Sequence, residues 1–457
     1  MKTRVESDSM GDMKVPENAL YGAQTARAFE NFPVSGWRFP PVFIRALARI
    51  KFAAAHVNHD LNKLDASKKE AICAAASETM ANNLDESFVL DIFQTGSGTS
   101  TNMNANEVIA NRAKQLFPDT KVHPNDHVNM GQSSNDVIPT AIHLSSAEML
   151  DAQLLPALAH LHTILKQKTV EFEDVIKVGR THLMDATPVT LGQEVSAWAR
   201  QIELSIERLK SVVPRLHELA IGGTAVGTGL NTHPEFGSRM AKALSKQYQL
   251  SFTEAENHFE AQSAQDAIVE LSGQLRNLSV SLLKIANDVR LLNAGPRCGL
   301  GEVTVPAVQP GSSIMPGKVN PVIAESLAQV CAQVMGQDAT IAFAGSSGLL
   351  ELNVMLPVMA HNILSSQLLL TNATRMFADK CIKDMHANRE VAASQIEWSM
   401  SMVTPLAPVI GYEKAAKLAK QAVNEKKTVR QLCIEQAVLS EEELSILLDP
   451  KRMLHPQ

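Results

Sequence analysis

Apolar residues recur at steps of three and four along most of the chain, and that spacing predicts helices. Phe43, Ile44, Leu47, Ile50, Ala54 and Val57 mark a helix from Pro41 to about Leu64. From about Ile138 to Met376 the pattern lengthens. Leu144, Met149, Leu150, Leu154, Leu155, Leu158, Leu161, Ile164 and Leu165 trace one long amphipathic helix, with a kink expected near Pro156. A second runs from Leu191 through Val195, Trp198, Ile202, Ile206 and Leu209 to Val213, and a third from Ile268 to Leu292. Two more cover Val322–Ala344 and Val354–Met376. Such stretches are about twice the usual helix of roughly 11–12 residues. Long helices joined by short connections imply a bundle. Their apolar positions spread beyond one stripe, so more than one face is expected to be buried, against copies of the same chain. After residue 380 the pattern shortens, with small helices starting near Gly411 and spanning Leu439 to Leu448. The expected organisation is all-α, with a mainly helical N-terminal domain (1–136), a central long-helix domain (137–380) and a small C-terminal helical domain (381–457).

Polar interruptions carry the candidate chemistry. The segment Gly311–Pro321, GSSIMPGKVNP, has two glycines and two prolines in eleven residues, so neither a regular helix nor a strand runs through it. It presents two hydroxyls, a lysine and an amide between apolar helices. A polar loop hinged on glycine suits both an anion and a mobile catalytic group. Gln94–Asn104, QTGSGTSTNMN, is a glycine and hydroxyl cluster leading into a helix, which fits either an anion site or an ordinary cap. His123-Pro124-Asn125-Asp126 and Gln132-Ser133-Ser134-Asn135-Asp136 read as a turn and a helix entry. Gly179–Pro188 interrupts the bundle between its first two long helices. Ile221–Asn231 is rich in glycine, but no strand precedes it and no Lys-Ser/Thr follows, which argues against a nucleotide.

Composition narrows the classes. Hydrophobic residues are 45% and charged residues 20%, a soluble globular balance, while aromatics are 4% and Met numbers 18, which favours packed helices. Net charge is −6 with no basic run, so nucleic acid and anionic membrane are not expected partners. Five dispersed cysteines without a CxxC pair read as reduced thiols, and the mixed-charge start MKTRVESDSMGD is unlike a signal peptide, so a cytoplasmic location is expected. No His/Cys/Asp cluster has metal spacing, and no cofactor is expected.

GSSIMPGKVNP resembles the signature of the fumarase/aspartase superfamily in its class II fumarase form. GSGTSTNMNANEV, HPNDHVN, QSSNDVIPTA, GRTHLMDATPVTLGQE, GGTAVGTGLNTHPEF, KIANDVRLLNAGPRCGLGE and GYEKAA resemble their counterparts there, in order and over nearly the whole chain. Aspartases tend to carry TQL where this chain has Thr181-His182-Leu183, and alanine at Gly317; both positions, with Ser133-Ser134-Asn135, match fumarases. The resemblance implies reversible, metal-independent hydration of fumarate to L-malate through an aci-carboxylate carbanion. It implies Ser312 as the base that takes the carbon-bound proton, Lys318 and loop N–H groups as its support, His182 as the acid acting through a water, and Glu325 as its orienter. Ser97, Gly98, Thr99, Ser133, Ser134, Asn135, Thr181, Ser313, Lys318 and Asn320 would hold the dicarboxylate. Read without the family, Glu325 also fits a first-turn helix residue, and Thr181 a loop cap. The family site is shared by three subunits of a homotetramer. A second dicarboxylate site is implied at His123, Asn125 and Asp126; Thr120 stands where some bacterial members place an arginine, so a weak or absent second site is expected. The competing readings are an aspartate ammonia-lyase of the same fold and a catalytically silent, crystallin-like homologue.

Overall fold

The computed structural model describes residues 2–456. The chain opens with an antiparallel hairpin, β1 (Thr3–Asp8) and β2 (Gly11–Pro16), followed by α1 (Ala23–Asn31), α2 (Pro41–Asp60), α3 (Ala66–Met80), α4 (Thr99–Leu116) and α5 (Ser134–Met149). Next come α6 (Leu155–Glu171), a second hairpin of β3 (Ile176–Thr181) and β4 (Met184–Thr190), and α7 (Leu191–Leu216). The rest is mostly helical: α8 (Phe236–Tyr248), α9 (His258–Ser263), α10 (Asp266–Leu292), α11 (Val322–Gly345) and α12 (Leu356–Phe377), then shorter helices including Tyr412–Glu425 and Glu441–Leu447. Among the described residues every sheet is a two-stranded piece, so the architecture is all-α.

Local signals set the helix limits. Pro41 begins α2, where its missing N–H costs nothing. The Asp65 carboxylate caps α3 by accepting from the Lys68 N–H at 2.8 Å. Ser133 and Asp136 form a capping box that starts α5. The helical run expected across Pro156 is one continuous path, α5 to α6, with a π-helical turn at Leu150–Leu154 just ahead of that proline. The wider turn takes up the geometry a proline imposes on the preceding turn.

Two compact units are present, residues 1–156, 207–277 and 332–371 in the first and 157–206, 278–331 and 372–457 in the second. Each passage of the chain from one to the other falls inside a long helix: α6, α7, α10, α11 or α12. In the first unit, α3 and α4 meet through Ala71, Ile72, Ala75, Ala76, Ile109 and Ala113, all buried. Small side chains there let the helices approach closely. In the second unit, Ile396, Met402, Leu406, Leu418, Leu432 and Leu444 build a separate core with Val178 of β3.

Candidate active site

The first unit gathers the hydroxyl motifs. Gly98 immediately precedes α4 with φ +71°, and a Cβ there would stand 2.9 Å from Ile138 Cγ1, so both backbone angle and space require glycine. Gly98 offers α4 no side-chain cap and the first turn has no acid; Gln94 Oε1 accepts from the Thr101 N–H at 2.9 Å, and the rest of the positive end of this 18-residue helix is open to an anion. Ser97 Oγ lies 2.7 Å from Thr99 Oγ1, which lies 2.6 Å from Ser134 Oγ. Two motifs separated in sequence thus form one chain of hydroxyls. Ser133 Oγ accepts from the Asn135 N–H at 3.2 Å as the cap of α5, and Asn135 Nδ2 donates to Ala225 O at 2.8 Å.

Beneath these turns lie charges absent from the candidate set drawn from the sequence. Asp136 is fully buried and accepts from the N–H groups of Ser133 (2.9 Å), Gly222 (3.1 Å) and Thr224 (2.9 Å). The glycine-rich segment therefore cradles a carboxylate of this chain. Burial pushes the Asp136 carboxyl up to about 6 against those hydrogen bonds. Lys51 of α2, also fully buried, donates to Asn102 Oδ1, Asn129 Oδ1 and Gln132 Oε1 at 2.7, 2.9 and 2.9 Å. A lysine on the apolar face of a helix, four residues beyond Leu47, was the available signal.

In the same unit the implied second site is a π-helical turn, Pro124–Val128. His123 Nδ1 accepts from the Asp126 N–H at 3.1 Å, and the side chains of His123 and Asp126 remain largely exposed.

The second unit carries Thr181 and His182 on the β3–β4 hairpin, where the sequence pattern marked only a polar interruption. Thr181 pairs with Met184, and His182 (φ +55°) and Leu183 (φ +63°) make the turn. Both positive angles are those of a type I′ turn, whose usual residues are Asn and Gly. Histidine and leucine are strained there, and strain of this kind gathers at functional positions. The tip stands free of its own unit: Leu183 and Met184 are each 70% exposed, and no hydrogen bond or ion pair of the described residues engages the His182 ring.

Four charged side chains anchor the base of that hairpin. Arg180 donates to Glu302 Oε1 at 2.8 Å and to Gln395 Oε1 at 2.8 Å. Lys177 Nζ lies 3.1 Å from Glu302 Oε2 and 3.3 Å from Glu194 Oε2, ion pairs outside hydrogen-bond geometry, and donates to Val178 O at 3.0 Å. Lys177 and Glu302 are each 1% exposed, and burial pushes the Glu194 carboxyl up despite Lys177. None of these four was in the candidate set from the sequence.

Gly311–Pro321, also in the second unit, folds back on itself. The Gly311 N–H donates to Lys318 O at 2.9 Å, and Asn320 Nδ2 donates to Gly311 O at 2.7 Å. A Cβ on Gly311 would come within 2.4 Å of Lys318 O, so glycine alone fits this neck. Ser312 Oγ accepts from the N–H groups of Ile314 (3.2 Å) and Met315 (2.9 Å). Such donors stabilise an alkoxide more than a neutral hydroxyl. Lys318 Nζ donates to Asn320 Oδ1 at 2.9 Å. Ser313 and Lys318 are exposed, and Gly317 has φ +81° with open space around it. Glu325 is in the first turn of α11, half-buried, with no hydrogen bond to His182. Among the described residues no group of three or more His, Cys, Asp and Glu side chains is arranged to hold a metal ion.

The profile of the Lyase family matches residues 11–336, and that of the fumarase C C-terminus matches residues 402–455. The chain is a member of that lyase family. A class II fumarate hydratase of Corynebacterium glutamicum is 53% identical over 460 residues, covering 99% of this chain and 97% of that one. The crystal structure of a class II fumarase from Schistosoma mansoni superposes with a TM-score of 0.97 at 43% identity, and that of a fumarate lyase:delta crystallin from Brucella melitensis with 0.95 at 46%; each covers 100% of both chains. Within the lyases, this chain belongs to the class II fumarate hydratases.

Proposed function

We propose that this chain hydrates fumarate reversibly to L-malate, with Ser312 as the base at carbon and His182, through a water, as the acid for the departing hydroxyl. The observation that carries the reading is the Ser312 environment, an Oγ already accepting from two backbone N–H groups on a loop closed at Gly311. Removal of the C3 proton of malate by the Ser312 alkoxide leaves an aci-carboxylate, and loss of the protonated hydroxyl from C2 completes fumarate. Lys318, Asn320 and Ser313 supply cation and donors for one carboxylate. The open end of α4 with Ser97, Gly98, Thr99, Ser134 and Asn135 suits the other, joined by Thr181 and by Ser133, whose Oγ also caps α5. Glu325 is the orienter of His182 in this scheme.

These residues act together in a homotetramer whose sites take residues from three subunits. Support comes from α11, where Ala332, Gly336, Ala339 and Phe343, at helical spacing, are exposed in the single chain, Phe343 by 67%. Small residues at such a seam admit close helix contact, and Phe343 supplies apolar area. The segments 1–136, 137–380 and 381–457 serve as the three domains of this scheme. A cytoplasmic location agrees with the reduced-thiol reading, and among the described residues no helix is long and apolar enough to cross a membrane.

The test is ultraviolet absorbance of the fumarate double bond after L-malate is added to the purified protein with a chelator present. A rise without ammonia is expected. Fumarate and ammonia from aspartate, with no response to malate, would identify an ammonia-lyase. Silence with both would favour a crystallin-like homologue. The dicarboxylate site at His123, Asn125 and Asp126 is weak or absent in this proposal, since His123 Nδ1 is engaged by its own turn and Thr120 replaces a possible arginine. Crystals soaked in malate should show it in the main site and not at His123; equal occupancy at both would contradict this.

A further inference from the structure

We infer that Lys51 is a positioning residue for the dicarboxylate: its buried ammonium fixes three side-chain amides and so holds the starts of α4 and α5 in binding register. The inference rests on the proposed function and deepens it. An ammonium has three N–H groups, and those of Lys51 are spent on Asn102, Asn129 and Gln132. Each amide oxygen therefore points at the ammonium, and the remaining donors follow. Asn102 Nδ2 donates to Asn129 Oδ1 at 3.2 Å, Asn129 Nδ2 to Gln132 O at 3.1 Å, and Gln132 Nε2 to Val128 O and Met130 O at 3.1 and 3.2 Å. Asn102 sits in the first turn of α4, where its N–H donates to Gly98 O at 3.0 Å. Gln132 directly precedes Ser133, the cap of α5. One ammonium thus joins the GSGTSTN, HPNDHVN and QSSND segments, which supply Gly98, Thr99, Ser134 and Asn135.

An apolar side chain would fill this site without the cost of burying a charge. The charge has a consequence that filling does not: it orders the amides and adds a positive field behind the helix starts. Among the described residues the charged group facing Lys51 is Asp136 of α5; α4 and the segment before α5 face it with amides. Burial draws the Lys51 ammonium down to about 7 while Asp136 opposes the change. When the ammonium loses a proton it keeps two donors for three amide oxygens, and one amide must turn away.

The test compares wild-type enzyme with Lys51→Met, measuring kcat and KM for L-malate from pH 6 to 9. Wild-type KM should rise with pH across this range. In the variant KM should be raised about tenfold or more already at pH 6, as for loss of a charge-assisted hydrogen bond, and should no longer follow pH. Its kcat should stay within about threefold, the mark of lost binding rather than lost chemistry. A KM and pH profile equal to wild type, or a loss confined to kcat, would overturn the inference. If Lys51→Met does not fold, Asn129→Leu decides, since it removes one amide and buries no charge. Raised KM at near-normal kcat upholds the inference, and unchanged KM overturns it. Failure of wild-type enzyme to turn over malate would strike the proposed function instead, and is seen in the same assay.

Discussion

Ser312→Ala is expected to lower kcat for malate dehydration by about 10²–10⁴-fold, the usual contribution of a positioned proton-transfer group, with little change in KM. The change removes one oxygen and leaves the loop's closure intact, because Gly311, Lys318 and Asn320 hold the neck without the Ser312 side chain. Ile314 N–H and Met315 N–H lose an acceptor, but Ile314 is 83% exposed and water replaces it. A large fall in kcat therefore reports on chemistry and not on folding. Ser313→Ala, one residue on, is the control and should act chiefly on KM. Steady-state rates for both variants suffice. Near-normal kcat in Ser312→Ala would place the base elsewhere and leave the two N–H donors with only a turn-forming role.

The second large effect is on stability. Glu302→Leu should cost about 3–5 kcal/mol, as removing one partner from a buried ion cluster does. Glu302 faces both Arg180 and Lys177, and Lys177 is as fully buried as Glu302 itself. Without Glu302, Lys177 is left with Glu194, whose carboxyl burial already holds above its ordinary range, and Arg180 is left with the neutral oxygens of Gln395 and Val178. The midpoint of urea unfolding should fall with an unchanged slope. Adding Lys177→Met should restore much of the loss, because a packed apolar pair is often as stable as a buried salt bridge. A single variant as stable as wild type would mean that water already screens the cluster. Arg180 is next to Thr181 and two residues before His182, so the folded variant should also lose kcat through a looser hairpin tip.

These expectations drew on the sequence to different depths. The long helices were legible because the 3.6-residue period is a property of neighbouring residues. Predicted limits such as Ile268–Leu292 and Val322–Ala344 fall within two residues of α10 (Asp266–Leu292) and α11 (Val322–Gly345). Of the proposed site, Ser312, Lys318 and Asn320 were legible as candidates from their own loop, whose glycines and prolines announce a break in regular structure. The hairpin was not, since Thr-His-Leu-Met lacks the Asn-Gly signal of a tight turn, and the pairing of β3 with β4 rather than a local preference holds His182 and Leu183 at positive φ.

By itself the chain determined where helices run, which segments break them and which polar side chains those segments present, because period, turn propensity and side-chain type are local. Only the tertiary structure decided that Lys51 meets Asn102, Asn129 and Gln132, that Asp136 fills the glycine-rich turn at Gly222 and Thr224, and that Glu302 reaches back to Lys177 and Arg180. Those partners are 51 to 125 residues apart, from Lys51 and Asn102 to Lys177 and Glu302. A buried charge is tolerated only where distant donors converge on it, so its role is set by the folded chain and cannot be read from its neighbours in sequence.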